Sequence, residues 1–345
     1  MQIEIERVER LRFDHGGPVR AASAVTAFGN GFLVVQDDAT HAAWFLDGRA
    51  TAVRLLPPVE GLEVFDELSA TKHLKPDLEA ACAVLDGADP AVLVMGSGSS
   101  PTRMRWVLLT QEQGHPHTRV ADMTELYRVA ADALEVPLDV LNMEGACVLD
   151  RTLRWFHRGL PSAGHPSASV DVDLVDVLAA VHGHAGADTI TVAAPRRYVL
   201  GSVANVGLAI TDAVALPGHG VLCAAAAEDS PNTRDDGPVV ASALVLLRHD
   251  DLPDVALLPL IEGVVAKVEG LMLVDAAAGW VRLLAVVDGD DPRAESLAVS
   301  LRVRPRGASR RIVLPLLGSD NTVGDGDRRD ALVHQRTDSR RAHPG

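Results

Sequence analysis

The chain is broken into many short apolar runs, each closed by glycine, proline or aspartate. Residues 31–38 (GFLVVQDD), 91–99 (AVLVMGSGS), 104–110 (MRWVLLT), 239–247 (VVASALVLL), 280–291 (WVRLLAVVDGDD) and 297–303 (LAVSLRV) are examples. Runs of this length between turn residues read as strands, and they argue against strands alternating with long helices. There are too many for one small barrel, whereas a toroid of four-stranded blades uses about this number. The expected class is all-β, with a single propeller domain over residues 1–317.

One interval departs from this pattern. Residues 123–136 (MTELYRVAADALEV) place apolar side chains at 126, 129, 130 and 134 behind Thr124 as a candidate cap, which predicts a helix between blades. Residues 172–186 (VDLVDVLAAVHGHAG) fit either a helix or a strand and turn. Beyond Leu317 large apolar residues are scarce, so 318–345 is expected to be a disordered tail.

Charge narrows the partners. Asp and Glu number 47 against 32 Lys plus Arg, a formal net charge of −15, which repels phosphate backbones and gives no support to nucleic-acid binding. Cys82, Cys147 and Cys223 sit in apolar runs without a second cysteine nearby, as buried thiols do. The first residues, MQIEIERVERLRF, lack the build of a secretory signal, and no apolar stretch approaches the roughly 20 residues of a membrane helix. The expectation is a cytoplasmic monomer with no membrane segment.

The motifs carry a family resemblance. In order they are 36–47 (QDDATHAAWFLD), 72–80 (KHLKPDLEA), 95–103 (MGSGSSPTR), 141–146 (LNMEGA) with 157–159 (HRG), 211–230 (TDAVALPGHGVLCAAAAEDS) with 235–237 (DDG), 267–271 (KVEGL) and 286–291 (VVDGDD). This set resembles a bacterial family of uncharacterised proteins, domain of unknown function 6929, and the resemblance implies a six-bladed β-propeller. The recurring polar positions it implies include Asp38, Lys75, Asp77, Glu79, Ser97, Ser99, Arg103, Asn142, Glu144, Arg158, Asp212, Glu228, Asp229, Asp236, Lys267, Glu269, Asp288 and Asp290. Ala39 departs from the family pattern, where serine tends to follow the Asp-Asp pair. A looser similarity links the chain to esterase-like and lactonase-type propellers, the latter with a divalent ion held by acids in the central channel.

In a propeller the innermost strands line the channel, so Glu79, Glu144 and Glu269 can meet at the axis although they are far apart in sequence. Converging carboxylates repel one another, and a bound cation relieves that cost. Carboxylate and amide oxygens suit calcium, whereas zinc or iron would recruit imidazole or thiolate. The expected metal ligands are Glu144, Glu269 and Asn142, with Asp212, Asp288 and Glu228 as additions. Glu79, Lys75, Asp77 and Arg103 are the candidate catalytic residues, with Glu79 as proton acceptor and Lys75 or Arg103 facing an anionic group.

The bland readings stay open beside these. Lys75, Asp77 and Glu79 alternate, so they share a face either as a salt-bridged lip or around one ligand. Residues 96–103 (GSGSSPTR) lack the GKS or GKT ending of a phosphate loop and read as a turn with Ser97 and Ser99 exposed. Residues 227–237 (AEDSPNTRDDG) do not satisfy an EF-hand and form either a rim loop or capped turns. His157 is the histidine best placed to contact a ligand. The resulting expectation is a divalent-metal-assisted hydrolase of a small ester or phosphoester, with a small anionic ligand. The alternative is a non-catalytic binding propeller with structural calcium.

Overall fold

The computed structural model describes residues 1–232, 237–248, 252–277, 279–289 and 293–305. The expected tail at 318–345, and Asp236 and Asp290, lie outside the described residues.

Hydrogen-bonded strands assemble into five sheets. Blade one runs outward from Ala22–Phe28 through Gly31–Gln36 and His41–Leu46 to Arg49–Arg54, and blade two from Leu78–Asp86 through Asp89–Gly96 and Arg105–Glu112 to His115–Asp122. Blade three comprises Met143–Leu149, Thr152–His157, Ser167–Asp173 and Val192–Tyr198. In blade four Val206–Leu216, Gly220–Glu228, Val239–Leu247 and Asp254–Leu257 follow the two-residue strand Ser202–Val203. Blade five starts from Lys267–Ala277, continues through Trp280–Asp288 and Leu297–Arg304, and takes the N-terminal strand Gln2–Arg10 as its outermost member. That antiparallel pairing of the first strand with the last fastens the ring. Each inner strand touches the inner strands of the blades on either side, from one to five and back to one.

The protein is therefore a five-bladed β-propeller carrying two short helices, and the expected all-β, six-bladed ring is corrected on both points. Chain that the strand count would assign to another blade goes instead into the helices and into the connection over residues 55–77. The first helix, Thr124–Leu134, buries Leu126, Tyr127, Ala130, Ala131 and Leu134. Thr124 does not cap it; Asp122 Oδ1 accepts the Thr124 N–H at 2.9 Å and its hydroxyl at 2.6 Å. The second, Leu174–Val181, is capped by Asp173, whose side chain accepts the Val175 N–H at 2.8 Å. Both helices pack into one apolar cluster with blades two and three. At its centre the Trp155 ring meets Trp106 and Tyr127 edge-on, with centroids 5.0 and 4.7 Å apart.

All five inner strands share one irregularity. Ladder pairing skips a residue between Ala22 and Ala24, Leu78 and Ala80, Met143 and Gly145, Ile210 and Asp212, and Val268 and Gly270. The skipped residues are Ser23, Glu79, Glu144, Thr211 and Glu269. A bulge of this kind leaves one residue unpaired and re-aims its side chain. The residue that follows is small in four blades, because inner strands pass close to one another there. A Cβ added at Gly270 would lie 2.8 Å from Ala24 Cα, and one at Gly145 would lie 3.0 Å from the Asp212 backbone.

Candidate functional site

Three equivalent positions per blade, defined by the bulge, supply most of the site at one end of the ring. They are the bulged residue, the residue two before it, and the residue that follows the bulge's neighbour on the second strand. The second-strand position holds Asp37, Ser97, Arg158, Ala226 and Asp288 in blades one to five. The position two before the bulge holds Ala21, Asp77, Asn142, Ala209 and Lys267. Most of these side chains, with Lys75 and Arg103, line a small polar cavity of about 60 Å³. None of the described residues lining it comes from blade four, which presents alanine at two of the three positions.

On one side stand Asp37, Asp77 and Glu79, each with a carboxylate oxygen within 4.8 Å of the others. Asp77 is the hub. Its Oδ1 lies 2.8 Å from Lys75 Nζ, and its Oδ2 accepts from Arg103 at 2.9 Å, Ser99 at 3.1 Å and the Ser97 hydroxyl. Lys75 also pairs with Asp37. Burial pushes Asp77 up, but Lys75 and Arg103 outweigh it and hold the carboxyl below its usual range. Burial opposes the charge on Lys75 too, and the carboxylates of Asp37 and Asp77 overcome it. Glu79 goes the other way, raised well above its usual value by burial and by those two aspartates.

The backbone ties this group together. The Asp77 N–H donates to Asp37 O at 3.1 Å, Ser97 N–H to Asp77 O at 2.9 Å, and Met143 N–H to Ser97 O at 2.8 Å, linking blades one, two and three. Asp77 has φ of 57°, a left-handed conformation that aspartate tolerates better than most residues. The loop 96–99 is propped by the first helix: Tyr127 donates its hydroxyl to Gly96 O, and its ring leaves no room for a side chain at Gly98. Ser97 and Ser99, expected at the surface of a turn, are buried as a result.

The remaining wall joins three blades. Glu228, from the end of a blade-four strand, accepts from Arg158 of blade three at 2.7 Å and lies 2.9 Å from Lys267 of blade five. Arg158 also donates to Glu144 Oε1 at 2.9 Å, and Lys267 lies 2.7 Å from Glu269. Although burial disfavours its charge, Arg158 and Lys267 pull Glu228 down to about 2. Burial raises Glu144 against the opposing pull of Arg158, and it raises Glu269 to about 8 against Lys267.

Of the residues singled out from sequence, Lys75, Asp77, Glu79, Arg103, Asn142, Glu144, Glu269 and Asp288 line the cavity together. Glu228 supports it from behind Arg158 and Lys267. Asp212 is turned away: its Oδ2 accepts the Leu271 N–H at 2.7 Å, and burial raises its carboxyl well above the usual value. Asp38 also stands behind the lining, paired with Arg20 at 2.9 Å and pushed up to about 7 by burial and by Asp37. His157 is enclosed in blade three, with Nδ1 3.0 Å from Asn142 O and its pKa lowered to about 4 by burial. Asp37 and the hydroxyl positions Ser23 and Thr211 escaped the sequence reading. The recurring triplets 22–24 (ASA), 78–80 (LEA), 143–145 (MEG), 210–212 (ITD) and 268–270 (VEG) carry the signal, with hydroxyl and carboxyl side chains taken as equivalent.

Fold and site define a β-propeller with a charged axial cavity and an acidic cluster whose geometry suits a divalent cation. The chain belongs to the family of unknown function DUF6910, whose sequence profile matches residues 71–292. This corrects the resemblance to domain of unknown function 6929. No curated protein matches the sequence. Similar solved structures include a candidate glycoside hydrolase from Parabacteroides distasonis, at 9% identity over 83% of this chain and 87% of that one, with a TM-score of 0.41. The β-1,2-mannobiose phosphorylase from Listeria innocua is 11% identical over 79% of this chain and 67% of that one, with a TM-score of 0.38. A protein of unknown function from Dyadobacter fermentans is 14% identical over 88% of this chain and 99% of that one, with a TM-score of 0.36. Among the described residues no helix is long and apolar enough to cross a membrane.

Proposed function

We propose that the axial cavity binds a divalent cation at Asp37, Asp77 and Glu79 and hydrolyses a small ester or phosphoester. The observation that carries this reading is the approach of three carboxylate oxygens from two blades to within 4.8 Å of one another. An all-oxygen donor set suits calcium, magnesium or manganese better than zinc. A bound cation would polarise the substrate and acidify water. Glu79, raised by burial and by its acidic neighbours, would lose its proton as the cation arrives and then accept one from water. Arg158 and Lys267 place positive charge on the remaining wall, where the anionic part of a substrate would lie.

A second reading rests on Lys75. Its ammonium already pairs with Asp37 and Asp77, so the acids are compensated without an ion, as in a binding propeller with no turnover. One titration separates the two. Calcium, magnesium and manganese are added to wild-type, Asp77→Asn and Glu79→Gln proteins in a calorimeter, with p-nitrophenyl acetate and bis-p-nitrophenyl phosphate as substrates. The hydrolase reading expects binding with proton release and cation-dependent turnover, both lost in the variants. Wild-type protein that takes up no ion at millimolar concentration would sink it and leave the binding reading.

A further inference from the structure

The site changes character at blade four. In blades one, three and five the second-strand position carries a charge, Asp37, Arg158 or Asp288, whereas blade four holds Ala226 there, paired with Ala209. At the same end of the ring, beside these alanines, an apolar groove of about 420 Å³ opens between blades three and four. Leu200 and Leu208 line its depth, only 6% and 5% exposed, and Val199 stands at its rim, 82% exposed. Pro161, Pro166 and Tyr198 complete the walls, and none of the described residues lining it is charged.

The groove is built before any ligand arrives. Gly207 passes so close to Pro161 that an added Cβ would lie 2.4 Å from the proline Cβ. The Tyr198 hydroxyl is 2.8 Å from Ser169 Oγ. Leu160 and His165 exchange backbone hydrogen bonds of 2.7 and 3.2 Å, closing the loop that carries Pro161. Both walls run into the charged site. Leu208 immediately precedes Ala209, and Arg158, which lines the cavity, is three residues before Pro161. Ser167 fastens the two, because its hydroxyl donates to Arg158 O and accepts the Ile210 N–H at 3.0 Å.

Size and polarity assign the occupant. The axial cavity, at about 60 Å³, holds only a few water-sized groups, so most of any substrate lies outside it. The groove falls within the range of small-molecule sites, about 300–1,000 Å³. Its lining rewards the removal of hydrocarbon from water and offers nothing to a charged group. We propose that the groove seats the apolar chain of an ester whose reacting group enters the axial cavity. The substrate class is then an amphiphilic ester, which water cleaves to a carboxylic acid and an alcohol. The reaction rests on the hydrolase reading; the seat for the chain rests on the groove and its continuity with the site.

The test measures kcat/KM for p-nitrophenyl acetate, butyrate and hexanoate in calcium, magnesium and manganese, with wild-type, Val199→Asp, Gly164→Asn and Val274→Asp proteins. Gly164 lines the groove with φ of 82° and open space where a Cβ would stand, a conformation asparagine tolerates. Val274 is 57% exposed near the other end of its strand and serves as the control. Each methylene withdrawn from water is worth about fourfold, so hexanoate should exceed acetate by about tenfold or more. That ratio should fall about tenfold in Val199→Asp, less in Gly164→Asn, and stay unchanged in Val274→Asp. Binding of hexanoate and acetate is also followed by ligand-observed NMR in EDTA, where hexanoate should bind in preference and lose that preference in Val199→Asp. Thermal melts confirm that each variant is folded. A ratio near one, or one that survives both groove substitutions, would overturn the proposal and leave the hydrolase reading standing. No turnover of any ester, with hexanoate binding that depends on Val199, would sink the hydrolase reading and support the groove. No turnover and no such binding would overturn both. Concentration-dependent dimerisation abolished by Val199→Asp, read by sedimentation, would assign the groove to a second copy of the chain and likewise overturn the proposal.

Discussion

Asp77 and Glu228 do the same electrostatic work by different routes. Each is an ionised acid held low by two cations. Asp77 draws both from the chain around it, Lys75 and Arg103, which lie within a single stretch of 29 residues that also supplies Ser97 and Ser99. Glu228 reaches across the ring to Arg158 in blade three and Lys267 in blade five. The first is a local device that builds a blade's inner end. The second is a clasp, and it stands in the blade that contributes none of the described residues lining the cavity.

The comparison has a sharp consequence for stability. Removing one partner of a buried ion pair strands the other charge, at a cost of about 3–5 kcal/mol. Asp77→Ala should approach that range, because Arg103 then has no acid partner among the described residues and two serine hydroxyls lose their acceptor. Glu228→Ala should cost less, about 1–3 kcal/mol, because Arg158 retains Glu144 and Lys267 retains Glu269. Urea unfolding of both variants measures the difference. A larger loss in Glu228→Ala would mean that the inter-blade clasp, rather than the local hub, dominates the cavity's stability.

The same contrast explains what the sequence could reveal. Alternation of Lys75, Asp77 and Glu79 makes one face of the local hub readable and Glu-Gly pairs mark two of the three axial glutamates, whereas GSGSSPTR reads as an exposed turn although Ser97 and Ser99 are buried against Asp77. The clasp was invisible because its partners lie 70 residues before and 39 residues after Glu228, in strands whose register is fixed only when the ring closes. The six-blade expectation comes from the family resemblance; the series that counts the blades is Ser23, Glu79, Glu144, Thr211 and Glu269, one bulge per inner strand. Hydroxyl side chains hide that series because they resemble any exposed serine or threonine until the bulge is seen.

Glu269 tests the charge balance of the clasp without dismantling it. Its carboxyl is raised to about 8 by burial, against the pull of Lys267, from an ordinary value of 4.5. A raised carboxyl binds its proton more tightly in the folded state. Its contribution to stability is therefore fully present below pH 4.5 and is lost as pH rises through 8, at no more than about 1.4 kcal/mol per pH unit. Glu228 behaves oppositely, contributing above 4.5 and losing its contribution as pH falls toward 2. Glu269→Gln should flatten the decline in stability between pH 5.5 and 8, as read from urea midpoints at several pH values. An unchanged slope would show that another group, such as Glu79 or Asp212, controls that interval.

The smallest expected effect concerns the two blades whose bulges carry hydroxyls instead of carboxyls. Thr211 donates to Val268 O at 2.6 Å and Ser23 donates to Leu78 O at 2.6 Å, so each holds the peptide just before an axial glutamate of the next blade. Thr211→Val preserves shape and removes one buried hydrogen bond, which should cost about 1 kcal/mol. Ser23→Ala should cost a similar amount. Their effects on the cavity should differ, since Ser23 adjoins the Asp77 hub through Glu79, whereas Thr211 adjoins the clasp through Glu269. If the two sides are as separate as their ion pairs indicate, Thr211→Val shifts the titration of Glu269 and leaves the proposed cation binding at Asp37, Asp77 and Glu79 intact. Ser23→Ala should do the reverse. Either variant disturbing both readouts equally would show that the five bulges act as one ring and not as two halves.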